Sequence, residues 1–225
     1  NSSTVGGGAI QANGTVTVTN STIGGNTAVA GSGGGIYFNG TALTVTNSTI
    51  AGNTSANNGG GIYNSAANPP DVRNSIIAGN NGTATSPDVT SVYASNGNNI
   101  IGNVGTSTGW IGSDLQNTDP LLAPLGYYGG NGLSFALTSA SPAVNGGQAC
   151  VLTLTCSGPN PASAITLDQR GAARVGAVDI GSFELNSSAN GGNFVAQLPS
   201  ATTGTPYSFA LTSANGTFAQ TVTAG

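Results

Sequence analysis

Apolar and polar side chains alternate in the runs TVTVTN from Thr15 and LTVTN from Leu43, the period of two that marks a strand with one buried face. The same pattern returns along the chain. Three segments align: GGGAIQANGTVTVTNSTIGGNTA from Gly6, GGGIYFNGTALTVTNSTIAGNTS from Gly33 and GGGIYNSAANPPDVRNSIIAGNNG from Gly59. Asn20, Asn47 and Asn74 fall 27 residues apart, as do Ile23, Ile50 and Ile77, and Asn26, Asn53 and Asn80; Ile10, Ile36 and Ile62 fall 26 apart. A degenerate fourth copy, NGNNIIGN from Asn96 to Asn103, follows at a shorter spacing. No apolar stripe of helical period interrupts this pattern.

A unit of two or three short strands cannot bury its apolar face alone, so it has to stack on its neighbours. Coiling the chain with one repeat per turn brings equivalent residues about 4.8 Å apart in parallel register. The pattern therefore predicts an all-β chain, a right-handed parallel β-helix or solenoid, with coils over 1–112 and a closing, capping region over 113–185. Val16 with Val18, Leu43 with Val45, and Val72 point inward, with the Thr residues between them in solvent. Gly triplets and Asn occupy corners that need positive φ. Asn20, Asn47 and Asn74, and likewise Asn26, Asn53 and Asn80, are expected to stack as amide ladders from coil to coil; exposed turn asparagines are the alternative. Pro69 and Pro70 fall in the third copy's strand and predict a bulge or an outward loop there.

Charge is scarce. Seven acidic and three basic side chains, with no His, leave a net charge of −4, and the three cations are all arginines, Arg73, Arg170 and Arg174. Imidazole bases, Schiff-base lysines, His-ligated zinc and Lys-containing phosphate loops are excluded. Three arginines neutralise too few phosphates for nucleic-acid binding. No apolar run approaches the roughly 20 residues that span a bilayer, so no membrane insertion is expected. Cys150 and Cys156, six apart in CVLTLTC, read as a local disulfide, which favours export; two reduced buried thiols are the other reading.

The GGGIYN, LTVTNSTIAGN and NSIIAGN copies and NNIIGN are followed by DPLLAPL from Asp119, SPAVNGG from Ser141, DQRG from Asp168 and DIGSFE from Asp179. In that order these motifs resemble bacterial secreted β-helix proteins of the choice-of-anchor Q type, with polymorphic-outer-membrane-like repeats, over roughly residues 5 to 185. The resemblance implies export and display at the cell surface, and no catalytic activity. The insertion holding Cys150 and Cys156 departs from that pattern. Residues 186–193 read as a linker. The segment over 194–225 resembles the opening strands of a bacterial Ig-like module, short of the about 100 residues of a whole sandwich. Phe194, Val195, Leu198, Tyr207, Phe209, Leu211, Phe218 and Val222 are its candidate assembly-strand residues.

The repeats carry Asp71 and Asp88 as their only acids, which offers no carboxylate pair for catalysis on the coils. Asp168, Asp179 and Glu184 cluster with Arg170 and Arg174. A pair of acids there suits glycoside hydrolysis, but the preferred reading is a buried set of ion pairs that caps the solenoid. Gly triplets without a following Asp argue against repeat-type calcium sites, and an ion near Asp114 or Asp119 is left open. No cofactor and no metal are expected. Trp110, Tyr127 and Tyr128 suit either a carbohydrate platform or the cover of a core end. Asn13, Asn20, Asn39, Asn47, Asn53, Asn81, Asn186 and Asn215 each begin a glycosylation sequon.

The functional expectation is a non-enzymatic extracellular structural or adhesive β-solenoid, whose partners are further copies of itself, other cell-surface components or glycans. The chain opens in mid-repeat and closes on unfinished strands, which suits a filament subunit that donates a strand to an open coil end. A cut inside a longer protein gives the same signature. A carbohydrate-binding or polysaccharide-degrading β-helix is the alternative.

Overall fold

The computed structural model describes residues 1–83, 85, 87–174, 176–185, 211–213 and 216–218. Two units are distinguished, Asn1–Asn186 and Ser187–Gly225. Of the second, Leu211–Ser213 and Gly216–Phe218 form an antiparallel pair with Leu211 opposite Phe218. The other candidate assembly residues, Phe194, Val195, Leu198, Tyr207, Phe209 and Val222, lie outside the described residues, as does the linker over 186–193.

The first unit is a parallel β-solenoid of about four turns, its strands gathered into four parallel sheets. The first sheet holds Ser2–Ser3, Thr27–Ala28 and Thr54–Ser55. The second holds Ile10–Ala12, Ile36–Phe38 and Ile62–Asn64. In the third, Thr15–Thr19, Ala42–Thr46, Asp71–Arg73 and Ala94–Ser95 stack. The fourth is the longest, with Thr22–Gly24, Thr49–Ala51, Ile76–Ala78, Ile100–Ile101 and Leu115–Gln116. Stacking therefore continues past residue 112, through coils that shorten: Ile23, Ile50, Ile77, Ile101 and Gln116 are successive partners.

Inward residues of three sheets fill one narrow core, including Phe38, Leu43, Val45, Ile50, Ile62, Val72, Ile77 and Ile101. Trp110 stacks on Tyr93 at 4.6 Å between ring centroids and packs against this core, so this tryptophan serves the core. The corner between the third and fourth sheets turns through Asn20, Asn47 and Asn74, at φ 51, 46 and 46°. Asn holds this left-handed region better than other side-chain-bearing residues. At Gly33, with φ 71°, a Cβ would lie 2.4 Å from the Ile36 carbonyl oxygen, so the triplet begins with a residue that has none. In the third coil the strand shortens to Asp71–Arg73, and an exposed corner over residues 65–69 precedes it, ending at Pro69.

The outer side of the fourth sheet is covered up to Ile100, while Leu115 at its end is 38% exposed. Thr22, Thr49, Ile76, Ile100 and Leu115 form its outward row. The chain over 119–185 folds back along that row and does not extend the stack. Ile76 and Ile100 pack with Ala136, Leu137, Ala143, Ile180 and Phe183. Further toward the first coil the contacts turn polar, with Ser182 bonded to the hydroxyls of Thr49 and Thr22 at 3.1 and 2.8 Å. Of the threonines expected in solvent, Thr17 is exposed and Thr44 half-buried, whereas Thr46 and Thr49 further along are buried.

Ile76 thus behaves as a core residue although it lies outside the coils. Ile76→Ala is expected to lower the unfolding free energy by about 2–5 kcal/mol, while Thr17→Ala, at an exposed position of the third sheet, stays within about 0.5 kcal/mol. Urea unfolding followed by circular dichroism checks the contrast.

Candidate functional site

Along the corner between the fourth and first sheets, Asn26, Asn53 and Asn80 form a continuous line. The Oδ1 of Asn53 accepts both the backbone N–H of Asn26 at 3.0 Å and its Nδ2 at 2.8 Å. Asn80 does the same for Asn53, at 3.0 and 2.9 Å. Asp88 then takes both donors of Asn80 on Oδ1, each at 2.8 Å, and the N–H of Asn103 on Oδ2 at 2.8 Å. A second line runs beside the corner between the third and fourth sheets. The N–H of Ser21 meets Ser48 Oγ and that of Ser48 meets Ser75 Oγ, both at 3.2 Å. Ser75 N–H donates to Asn99 Oδ1 at 2.9 Å, and Asn99 gives its N–H and Nδ2 to Asp114 Oδ1 at 3.0 and 2.9 Å. Both lines end in a carboxylate, which accepts and never donates when ionised, so no side-chain donor is left over at the last rung.

Asn20, Asn47 and Asn74 do something else. Only Asn74 reaches its neighbour, Asn47, at 3.5 Å. Their left-handed backbone turns the amides outward, where Asn20 and Asn74 receive the returning chain. Asn20 donates to the Leu167 carbonyl and accepts from Arg174, both at 3.0 Å. Asn74 accepts the Gln148 N–H at 2.8 Å and donates to the Gln148 carbonyl at 3.1 Å. Where a ladder was expected, Asn20 and Asn74 serve as docking points, and the Nδ2 of Asn47 is buried with no hydrogen-bond partner among the described residues.

The acid and arginine cluster lies in this returning chain. Asp168 pairs with Arg170 at 2.7 Å, and Arg174 with Glu184 at 2.9 Å. The guanidinium of Arg170 sits 3.5 Å from the Phe183 ring centroid and donates to the carbonyls of Tyr128 and Glu184. Asp168 also accepts the N–H groups of Ala172 and Glu184, and Asp179 those of Asn145 and Leu185. Burial pushes Asp179 and Glu184 above the usual carboxylate range, partly offset at Asp179 by the Asn145 and Leu185 N–H groups, at Glu184 by the Asp179 N–H, and at both by Arg174. It also pulls Arg174 down, against the opposing pull of Glu184 and Asp168. The network was expected to cap the solenoid's end. It instead fastens the returning segment along its side, because Arg174 reaches Asn20 in the first coil.

Cys150 and Cys156 form a disulfide. Arg73, only 3% exposed, anchors that loop by donating to Ser157 O at 2.9 Å, to Gln148 Oε1, and to Cys150 Sγ at 3.7 Å. Tyr128 donates to Pro124 O at 2.7 Å and meets Phe183 edge-on, while Tyr127 stands 71% exposed. Trp110, Tyr127 and Tyr128 therefore do not converge on one platform. Among the described residues no group of three or more His, Cys, Asp or Glu is arranged to hold a metal. A cleft of about 740 Å³ is walled by Asp88, Asp119, Asn80 and Phe135. Its carboxylates are already engaged, Asp119 with the Leu121 N–H at 2.8 Å.

Sequence reasoning missed Asp88, Asp114 and the serine line. Ser21, Ser48 and Ser75 do stand 27 apart, which was a usable signal. Asp88 was hidden because it follows Asn80 by only eight residues, whereas Asn103, the next Asn of the series, is exposed and bonds Gly105 N–H.

Burial raises Asp88 to about 6, against the lowering effect of its bonds from Asn80 and Asn103. The folded chain therefore holds this proton more tightly than the unfolded chain, and stability falls as pH rises from about 4 to about 6, then levels. Asp179 and Glu184 are shifted the same way. Asp88→Asn removes the Asp88 share of that slope, so the stability difference between variant and parent moves in the variant's favour by on the order of 2 kcal/mol from pH 4 to pH 7. Urea midpoints at four pH values measure it.

No family model, no curated protein and no solved structure matches the chain. The fold is read from its own geometry, as a parallel β-solenoid fastened along one side by its returning segment.

Proposed function

We propose that the chain is a non-enzymatic structural and adhesive β-solenoid of an extracellular cell surface, of the choice-of-anchor Q type, extended by strands of Ig-like character. One observation carries this reading. Each of the seven carboxylates and three guanidinium groups bonds to the protein itself, the less buried ones included: Asp71 accepts from Asn96 at 3.2 Å and Asp119 from Leu121 at 2.8 Å. Ionisable groups that serve as acids, bases or nucleophiles have to be offered to a substrate. Here they hold coils and the returning segment in place.

The disulfide supports an oxidising compartment, in which such a bond persists. Assembly is the second part of the reading. An edge strand with unpaired backbone groups accepts another strand. Strands such as Leu211–Ser213 and Gly216–Phe218 of the second unit are of the kind that adds to such an edge in a neighbouring copy.

Electron microscopy of native extracellular material tests it. Regular filaments whose repeat is near one subunit length, with residues 194–225 on a neighbour, are expected. Single particles under all conditions overturn the assembly part.

A further inference from the structure

The outer side of the second sheet carries side chains that the solenoid does not use. Gln11, Tyr37 and Tyr63 stand in register there, one per coil, because Gln11 pairs with Tyr37 and Tyr37 with Tyr63. Asn13 and Asn39 follow at the next outward positions of their coils. The two tyrosine rings lie 5.3 Å apart with a 34° tilt, both half-buried. Together these residues line a groove of about 410 Å³, bounded on one side by Gly6 and Ser32. At Gly6 a Cβ would come within 2.8 Å of Tyr37 Cδ2, so the wall approaches the ring as closely as a bare backbone allows.

The polar chemistry of this groove contrasts with that of the corners. At the corners Asn26, Asn53, Asn80 and Asn99 spend their amides on the next coil. Gln11, Asn13 and Asn39 are exposed and keep theirs for solvent or a ligand. An amide offers two donors and an acceptor in one plane, which matches vicinal hydroxyls, and a tyrosine offers an apolar ring with a hydroxyl at its tip. Among the described residues no charged one lines the groove, although the chain as a whole carries −4. A charged ligand would find no counter-charge here, whereas an uncharged one rich in hydroxyls and C–H faces would find both partners. The lining repeats at the coil spacing, so a ligand with repeating units meets the same chemistry at successive coils.

We propose that the outer side of the second sheet, centred on Tyr37 and Tyr63 with Gln11, Asn13 and Asn39, is a binding site for a neutral polysaccharide. The site rests on the adhesive half of the function proposed above and is independent of the filament half.

Affinity electrophoresis of the full chain through gels holding β-1,3-glucan, hydroxyethylcellulose, mannan, galactan or polygalacturonate tests it. Retardation by at least one of the four neutral polymers is expected, weakened at least about tenfold by Tyr37→Ala with Tyr63→Ala. Asn13→Asp with Asn39→Asp, at exposed positions that spare the fold, weakens it similarly. Tyr127→Ala, away from the groove, leaves it unchanged. If the tyrosine variant fails to fold, as its melting curve would show, the aspartate variant decides. Passage unretarded through all four neutral gels, retardation by polygalacturonate alone, or retardation indifferent to the aspartate pair overturns the site. Microscopy of the same preparations reads the assembly proposal separately, so either can fail alone.

Discussion

Coil-to-coil register depends on one arrangement: a side-chain oxygen in each coil that accepts the backbone N–H of the coil before it. In the Asn26, Asn53 and Asn80 line the same oxygen also takes the preceding Nδ2, so each rung is held twice. These groups are buried, where an unmet donor costs about 1–3 kcal/mol. A slip of one residue would break every rung at once and would also turn the inward Ile and Val outward. Strand pairing alone tolerates such slips in sequences rich in Thr, Val and Gly. The two lines of side chains remove that freedom, and Asp88 and Asp114 bring them to an end without a stranded donor.

From this fixed stack the rest follows. With register set, the outward row of the fourth sheet becomes a defined surface, polar at Thr22 and Thr49 and apolar at Ile76 and Ile100. The returning chain matches it, setting Ser182 and Gln169 against the threonines and Ala136, Leu137, Ile180 and Phe183 against the isoleucines. Its own shape is held by buried ion pairs that backbone groups also bond, Arg170 reaching the carbonyls of Tyr128 and Glu184 and Arg174 those of Asp179 and Gly181. Such pairs stabilise little in themselves, since desolvation offsets their attraction, but removing one partner leaves a buried charge uncompensated. They make the clasp specific, as does the disulfide loop bound through Arg73.

How far this was legible can be argued from two columns of asparagine. Asn20, Asn47 and Asn74 and Asn26, Asn53 and Asn80 have the same residue type and spacing, and sequence reading gave them one role. Backbone conformation separates them: the first set sits at positive φ and faces outward, the second does not. The period, the inward positions and the corners were visible because each is repeated. The covered face was not, although the change from Thr49 to Ile76 in NSII announces it, because the covering residues are not periodic. The arginines and acids were recognised as a network, yet its place along the side depends on a fold-back that no local pattern encodes. Tyr37 and Tyr63 were passed over because GGGIY reads as a corner and a strand before it reads as a surface.

The central claim is that side-chain oxygens hold the coils in register, and native-state hydrogen exchange tests it most directly. The amide hydrogens of Asn26, Asn53, Ser48 and Ser75 have side-chain acceptors in the following coil. They are predicted to exchange as slowly as those of the strand residues Val45 and Ile50. Exchange at the rate of exposed corner amides such as Gly14 would contradict the account.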